Sequence, residues 1–276
     1  MTDIADWQGG VGRNWAAQWQ RTDVTFSELT PRLLEAIAEE PGGCIIDIGC
    51  GAGEIAMAVA TARPDAEVVG VDVSPDLVAA AKERFHTTPN LSFELADAAR
   101  WSDPSRVPDL YVSRHGVMFF DDPPAAFRHL AARAVPGARL VFSCFRKPAE
   151  NIWAKAITEM LPGPQAATMQ PFAPGPFAFA DPDHVRHCLA GWRDLKFTPV
   201  DFDYIAGIGP DAVADAMALF QRIGPSAFAL RTLPPEERSA FEKRLLALVE
   251  AHHDGARVTF PAAAWLLTAT SDHSNG

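Results

Sequence analysis

The chain has 276 residues, of which 48% are hydrophobic and 21% are charged, a length that can bury one full α/β core. Its 24 lysines and arginines stand against 35 aspartates and glutamates, and the resulting formal charge of -11 argues against passive binding to nucleic acid or to an anionic membrane. No run approaches the ~18 apolar residues of a membrane span, and no basic segment leads into an apolar run near residue 1.

The four cysteines indicate a reducing environment. Cys44, Cys50, Cys144 and Cys188 show no CxxC spacing, and they are too few to form a disulfide scaffold in a chain of this length. We therefore expect a cytoplasmic protein with no membrane span and no nucleic-acid partner.

The first 40 residues are predicted to form an arm followed by a helix. Trp7, Trp15 and Trp19 flank a glycine cluster, and Trp15 and Trp19 are spaced one helical turn apart. Apolar residues then recur every three or four positions, which predicts an amphipathic helix over 26–39. It ends at the Pro-Gly-Gly sequence 41–43.

Residues 44–145 alternate short aliphatic runs with alanine-rich stretches, a pattern typical of a parallel sheet with helices on both faces. The predicted strands are 44–48, 67–71, 91–95, 110–113 and 139–145. The predicted helices are 54–61, 75–85 and 123–134. Ser74 and Asp122 each precede a proline and are expected to be helix N-caps. The pattern predicts one doubly wound sheet.

The remaining chain is predicted to add helices and two strands to the same structural domain. Six of the 21 residues in 162–182 are prolines, which predicts a loop. The predicted helices are 151–161, 183–190, 211–223 and 235–252, and the predicted strands are 195–205 and 264–270. We divide the domain into an arm (1–40), a core (41–146) and a remainder (147–276) with cap insertions at about 151–182 and 211–253.

A glycine-rich turn joins the first predicted strand to the next helix. Gly49, Gly51 and Gly53 form a GxGxG pattern, and Asp47 stands two residues before it. A dinucleotide fingerprint would need its third glycine at position 54, where the chain has Glu54. Glycine lets the backbone approach a ligand, although a tight turn also uses glycine for packing alone.

Acidic residues end the next two predicted strands. Asp72 can accept hydrogen bonds from both hydroxyls of a ribose, and Asp97 follows the third strand. Either aspartate alone would be explained as a helix or turn cap. Signals at the ends of three consecutive strands instead indicate a nucleoside-containing ligand at one edge of the sheet.

These residues resemble motif I and the following motifs of class I S-adenosylmethionine-dependent methyltransferases. The segment 109–123 and the Pro136-Gly137 turn resemble the small-molecule branch that includes UbiE-like and methyltransferase type 11 enzymes. The resemblance is close over 7–146. It implies a doubly wound, mostly parallel, seven-stranded, Rossmann-like α/β sheet with an antiparallel seventh strand and helical cap insertions.

The resemblance also implies an activity, a cofactor and its binding residues. The activity is methyl transfer from S-adenosylmethionine to a small-molecule acceptor, with S-adenosylhomocysteine as product. The expected cofactor-binding residues lie in the glycine turn, at the strand ends and in an arm that acts as a lid: Asp47, Gly49, Cys50, Gly51, Gly53, Asp72, Val73, Asp97, Ala98, Ser113 and Trp15. Trp15 and Trp19 could place ring faces near the sulfonium or simply anchor the arm.

His115 follows the fourth predicted strand, at the edge where an open parallel sheet binds its ligand. It is a candidate general base, because a histidine can accept a proton near neutral pH. It could equally pack or hydrogen-bond beneath the cofactor. Many members of the family need no base, since an acidic nucleophile reacts once it is aligned.

Other motifs argue against a metal and against a nucleic-acid base as substrate. Asp122-Pro123-Pro124 lies past the strand end and is followed by Ala125 rather than an aromatic residue, so it is interpreted as a helix start. His184, His187 and Cys188 share one helical face and could be metal ligands. The alternative, which we favour, is that Cys188 packs inward and the histidines are solvated, so no metal is expected.

Alternative functions remain open from the sequence. The chain could bind S-adenosylmethionine without turnover, or it could methylate protein or RNA, which the acidic charge disfavours. Phe172, Phe177 and Phe179 could wall an apolar substrate pocket or bury the proline-rich loop. The sequence names neither the acceptor nor an oligomeric state.

Overall fold

In the computed structural model, which describes residues 4–161 and 172–272, seven strands form a single sheet. The spatial order is β3-β2-β1-β4-β5-β7-β6, and β7 runs antiparallel to both of its neighbours. The strands are β1 (Cys44–Ile48), β2 (Glu67–Asp72), β3 (Leu91–Leu95), β4 (Leu110–Arg114), β5 (Arg139–Phe145), β6 (Trp192–Ile208) and β7 (Arg257–Ser271). This confirms the predicted mostly parallel, seven-stranded α/β fold.

Helices cover both faces and one edge of the sheet. Within the described ranges they are α1 (Ile4–Gln8), α2 (Gly10–Ala17), α3 (Trp19–Thr25), α4 (Leu29–Ala38), α5 (Glu54–Ala62), α6 (Pro75–Phe85), α7 (Pro123–Arg133), α8 (Ile152–Met160), α9 (Pro182–Cys188), α10 (Ala212–Phe220), α11 (Gly224–Thr232) and α12 (Pro235–Ala251). The predicted N-caps are confirmed: Ser74 accepts a hydrogen bond from the Leu77 N–H, and Asp122 accepts one from the Ala125 N–H.

The central strands are apolar because they are buried on both faces. In β1, Ile45, Ile46 and Ile48 are almost fully buried, and a parallel strand covered by helices on both faces needs such a continuous run. The same parallel pairing aligns the carboxyl ends of β1 to β4 along one edge of the sheet.

Two predicted boundaries differ because tertiary contacts, rather than local pattern, set them. The helix predicted from residue 26 begins at Leu29, and Phe26 lies in the turn after α3. The strands predicted as 195–205 and 264–270 extend to Trp192–Ile208 and Arg257–Ser271, because β6 and β7 pair as an antiparallel ribbon along most of their length.

The arm and the cap pack around this ribbon. Helix α10 packs on β6 and β7, α12 packs on α10, and α3 packs on β6, while α2 packs on α6. Helix α11 was missed by the sequence analysis, since Gly224 and Pro225 resemble a loop but begin the helix. Part of the predicted proline-rich loop, 162–171, lies outside the described residues. None of the helices described is long and apolar enough to cross a bilayer.

Candidate active site

Four predicted signals meet at the carboxyl edge of the sheet. The glycine turn follows β1, Asp72 ends β2, Asp97 follows β3 and His115 follows β4. Since these strands are parallel and in register, the four segments lie along the same edge. An open parallel sheet binds its ligands at this edge.

The three glycines of the turn all adopt left-handed backbone conformations, with φ of 63° at Gly49, 54° at Gly51 and 87° at Gly53. A Cβ at Gly49 would lie 2.8 Å from the Gly116 Cα, and a Cβ at Gly53 would lie 2.7 Å from the Phe93 ring. At Gly51 a Cβ would meet no heavy atom within 4 Å. Gly49 and Gly53 therefore allow close packing, whereas Gly51 borders open space.

Asp72 is bound to the glycine turn. Its Oδ2 accepts a hydrogen bond from the Gly51 N–H at 2.9 Å, and its Oδ1 accepts one from the Ser74 N–H at 2.8 Å. Burial raises the pKa of Asp72, against the opposing effect of these N–H groups. An ionised carboxylate has about four lone-pair sites, so Asp72 retains capacity for ligand hydroxyls.

Asp47 brings a second buried carboxyl group to the turn. It is 1% exposed, and its Oδ2 accepts a hydrogen bond from the Ala56 N–H at 3.0 Å. Its Oδ1 has no partner in the described part of the chain. Burial raises the pKa of Asp47 to about 8, although Arg114 opposes this. A cationic ligand group would satisfy the unpartnered oxygen and favour the ionised form.

The other expected cofactor-binding residues form a turn contact or are partly or fully buried at this edge. Asp97 Oδ1 accepts a hydrogen bond from the Ala99 N–H at 2.9 Å, the turn-cap contact that was its alternative interpretation. Val73 is half-buried, and Ala98 and Cys50 are buried.

Ser113, another expected cofactor-binding residue, is hydrogen-bonded to the backbone at this edge. It is fully buried, its hydroxyl donates to the Ile48 carbonyl at 2.7 Å, and the same oxygen accepts from the Gly116 N–H at 3.1 Å. Its polar groups are therefore used within the protein.

His115 is held in a strained, buried position. Its φ is 64°, which is uncommon for a residue other than glycine. Its Nδ1 lies 2.9 Å from Ser143 Oγ, while its Nε2 is buried without a partner among the residues described. Burial lowers the pKa of His115 to about 3, so the imidazole is neutral at physiological pH. The sequence located this residue but carried no sign of its strain.

The arm lies over the same edge. Trp7 is 5.6 Å from Trp15 and 5.1 Å from Phe119 between ring centroids. Trp15 and Trp19, which are spaced one helical turn apart in the sequence, lie in separate helices, because Gln18 interrupts the chain between α2 and α3. Trp15 therefore pairs with Trp7, and Trp19 stacks on the guanidinium of a residue in α6.

Ion pairs and hydrogen bonds connect the arm to the glycine turn, and no sequence pattern indicated these contacts. Arg84 of α6 binds Asp23 of the arm at 2.7 Å and the Ala52 carbonyl at 2.8 Å. Arg114 forms an ion pair with Glu54, the first residue of α5. Burial raises the pKa of Glu54 to about 7 despite this pair. Each charge resembles an ordinary surface residue in the sequence, so only the fold reveals the network.

The possible metal ligands do not form a site. His184 stacks on Phe172 at 3.8 Å, its Nε2 lies 3.3 Å from the Cys188 sulfur, and His187 is exposed. Across the described ranges, no group of three histidine, cysteine, aspartate or glutamate side chains is arranged to hold a metal ion.

Comparisons with known proteins identify a methyltransferase domain. A family model described as a methyltransferase domain matches residues 19–188. Trans-aconitate 2-methyltransferase of Methylobacterium radiotolerans is 33% identical over 137 residues, covering 50% of this chain and 48% of that protein. The enzyme of the same name from Klebsiella pneumoniae is 26% identical over 91% of this chain and 90% of its own length.

A solved structure supports the fold. It is phosphoethanolamine N-methyltransferase 2 of Haemonchus contortus, in complex with phosphomonomethylethanolamine and S-adenosylhomocysteine. It aligns with a TM-score of 0.56 at 15% identity, covering 99% of this chain and 60% of that one. The alignments with the first curated relatives span about half of their length or less. Because the family model matches more than half of the residues of this chain, the chain belongs to the methyltransferase domain family.

Proposed function

We propose that the chain is an S-adenosylmethionine-dependent methyltransferase that acts on a small-molecule acceptor. The observation that carries the proposal is the glycine turn, where Gly51 borders open space and donates its N–H to Asp72, and where the buried Asp47 stands in the preceding strand. Family membership makes the same reaction the expected one.

The residues at the edge fit the cofactor in charge and hydrogen bonding. The unpartnered Oδ1 of Asp47 can face the ammonium of the amino-acid end. Gly49, Cys50 and Gly51 supply the backbone beneath that end, and Asp72 binds the ribose hydroxyls. Val73, Asp97 and Ala98 are assigned to the adenosine. Gly53 shapes the turn, and Ser113 supports it from below.

S-adenosylmethionine held by these residues would supply an electrophilic methyl group to the acceptor's lone pair and would leave as S-adenosylhomocysteine. The protein's contribution is alignment and exclusion of water. Trp7 and Trp15 of the arm cover the edge. His115, with its lowered pKa, fits a hydrogen-bonding role better than that of a general base.

The parts of the chain take different roles in this proposal. The arm (1–40) is a lid, the core (41–146) binds the cofactor, and the remainder with its cap insertions shapes the acceptor site, all within one domain. The ion pair between Arg84 and Asp23 supports a lid that closes onto the core. We also assign the protein to the cytoplasm and exclude a nucleic-acid partner; its four cysteines are all free thiols.

Isothermal titration calorimetry tests the proposal directly. We expect S-adenosylmethionine and S-adenosylhomocysteine to bind with one site per chain and NAD not to bind. Failure of both sulfur compounds to bind would contradict the proposed function. Transfer of a labelled methyl group to an acceptor separates an enzyme from a module that binds the cofactor without turnover.

A further inference from the structure

A cluster of aromatic rings lies beside His115, at the carboxyl ends of β4 and β5. Neighbouring ring centroids in it are 4.1 to 6.1 Å apart. We call it the aromatic cluster, and it consists of Phe26, His115, Phe145, Trp153, Phe177 and Tyr204. Of the three phenylalanines near the proline-rich loop that could wall a pocket, only Phe177 belongs to it.

The position of the aromatic cluster matches that of an acceptor. His115 follows β4, and the next residue, Gly116, packs its backbone against Gly49 of the proposed cofactor turn. Phe26 comes from the arm and Tyr204 from the β6–β7 ribbon. The cluster therefore adjoins the proposed cofactor turn.

The aromatic cluster is mostly buried and reaches the surface at Phe177. Phe26, His115, Phe145, Trp153 and Tyr204 retain 4–8% exposure and Phe177 is half-buried, whereas Phe127, Phe142 and Phe179 in the neighbouring core have none. Opening of the cluster at Phe177 would let a planar apolar molecule stack on these rings.

Two polar atoms in the aromatic cluster have no partner. Trp153 is 5% exposed and its Nε1 is buried without a hydrogen bond, and the same holds for His115 Nε2 within the described residues. An indole N–H can only donate. Leaving such a donor unsatisfied is unfavourable, so an oxygen of a bound molecule would relieve this cost.

Two arginines near the aromatic cluster lie in ion pairs. Arg114 binds Glu54, and Arg146 binds Asp201 at 2.8 Å as well as Glu150, although its Nε has no partner among the described residues. A polyanion such as the tricarboxylate trans-aconitate would therefore have to compete with these carboxylates for both guanidinium groups.

We propose that the aromatic cluster binds the methyl acceptor and that this acceptor is a planar, ring-bearing molecule of low charge, with an oxygen that accepts a hydrogen bond from Trp153 Nε1. This inference rests on the proposed function, because it names the substrate class of the same site. It separates the chain from relatives named for trans-aconitate.

Calorimetry on protein loaded with S-adenosylhomocysteine tests the inference. The ring probes are 4-hydroxyacetophenone, 4-hydroxyquinoline and 3-hydroxyflavone, and the comparison probes are trans-aconitate and phosphoethanolamine. We expect at least one ring probe to bind more tightly than both comparison probes. Tighter binding of trans-aconitate or phosphoethanolamine, or binding of none of the ring probes, would overturn the inference.

Trp153→Phe keeps one six-membered aromatic ring and removes the pyrrole ring with its N–H. We expect this substitution to weaken binding of the best ring probe about fivefold to fifteenfold, which corresponds to the loss of one hydrogen bond. If that probe is methylated, KM should rise by a similar factor while kcat changes less than about threefold. Unchanged affinity in Trp153→Phe would overturn the role of this donor.

Trp265→Phe is the matched control, because the Trp265 N–H donates to the Ala180 carbonyl at 3.2 Å. It should leave probe binding unchanged but lower the melting temperature. Trp153→Phe should also lower it, because a buried indole loses part of its packed volume. If the wild-type protein does not bind S-adenosylhomocysteine, the proposed function itself is refuted. If it binds S-adenosylhomocysteine but none of the ring probes, only this inference is refuted.

Discussion

The Asp72 carboxylate accepts a hydrogen bond from the Gly51 N–H at 2.9 Å, which joins the end of β2 to the glycine turn after β1. The contact links the two residues assigned to opposite ends of the cofactor's ribosyl-methionine portion. Because Asp72 also binds the Ser74 N–H, one side chain fixes the turn, the strand end and the start of α6. Loss of Asp72 should therefore affect cofactor binding both directly and through the turn.

Asp72→Ala should weaken S-adenosylhomocysteine binding about tenfold to a hundredfold or more, since each charge-assisted hydrogen bond contributes about 1.5–3 kcal/mol. Calorimetry measures the change. Asp65→Ala, at an exposed position before β2, is the control and should bind normally. Wild-type affinity in Asp72→Ala would remove this residue from the site.

Gly51→Ala should abolish or greatly weaken cofactor binding while leaving the fold intact. Its methyl group would clash with nothing in the protein, but it would enter the space assigned to the cofactor. Gly137→Ala is the matched control, because Gly137 also has a positive φ and open surroundings, in the turn before β5. In both variants the strain of alanine in the left-handed conformation should lower the free energy of unfolding by about 1–2 kcal/mol. Equal cofactor affinity in the two would contradict the placement of the site.

The sequence predicted the central strands because each is a short apolar run between strong helix signals, such as Ser74 before Pro75. It did not predict the length of the β6–β7 ribbon. Asp194 and Gly207 in β6 and Pro261 in β7 weaken the local strand pattern at the parts that were not predicted, and only the pairing of the two strands compensates.

The candidate site likewise contains residues that the sequence predicted and contacts that only the fold creates. The glycines, Asp47, Asp72 and His115 were recognisable because a strand end followed by glycine or a polar residue is a local signal. The pairing of Arg114 with Glu54 and the unpartnered Trp153 N–H depend on contacts between distant segments. A periodic pattern contains no information about such contacts.

Cofactor binding should release protons through Asp47. Its pKa of about 8 leaves it largely protonated at pH 7 in the free protein, and an ammonium group beside Oδ1 would favour the ionised form. We expect release of up to one proton per ligand at pH 7 and affinity that rises from pH 6 to pH 8. Calorimetry in buffers of different ionisation enthalpy measures the release.

Asp47→Asn is the control for this release, because it keeps the size of the side chain but cannot ionise. The ligand's own titration is common to both proteins, so the difference between them isolates Asp47. We expect about one proton less to be released and roughly tenfold weaker binding, the value of one charge-assisted contact. Identical proton release in the two proteins would show that Asp47 does not change ionisation on binding.

His115 should make the protein sensitive to acid without controlling turnover near neutral pH. Its folded-state pKa is lowered to about 3, against about 6.5 in an unfolded chain. Below pH 6.5 the unfolded state therefore binds a proton that the folded state does not. Its contribution to stability is complete above pH 6.5 and is lost as the pH falls toward 3.

Urea unfolding of the wild-type protein and His115→Asn at pH 7.5 and pH 5.0 tests this dependence. Asparagine tolerates the positive φ at this position. The difference in unfolding free energy between the two proteins should change by about 2 kcal/mol over this range, with the wild type losing more. His187→Asn, at an exposed histidine, should show no such change.

The pH profile of kcat then separates a hydrogen-bonding histidine from a base. With a pKa near 3 the imidazole stays neutral, so the wild-type profile should show no His115-dependent inflection between pH 5.5 and pH 8.5. A base would behave differently: His115→Asn would lower kcat about 10²–10⁴-fold at neutral pH, with cofactor affinity kept and activity partly restored at high pH. That result would establish His115 as the base and contradict the hydrogen-bonding role.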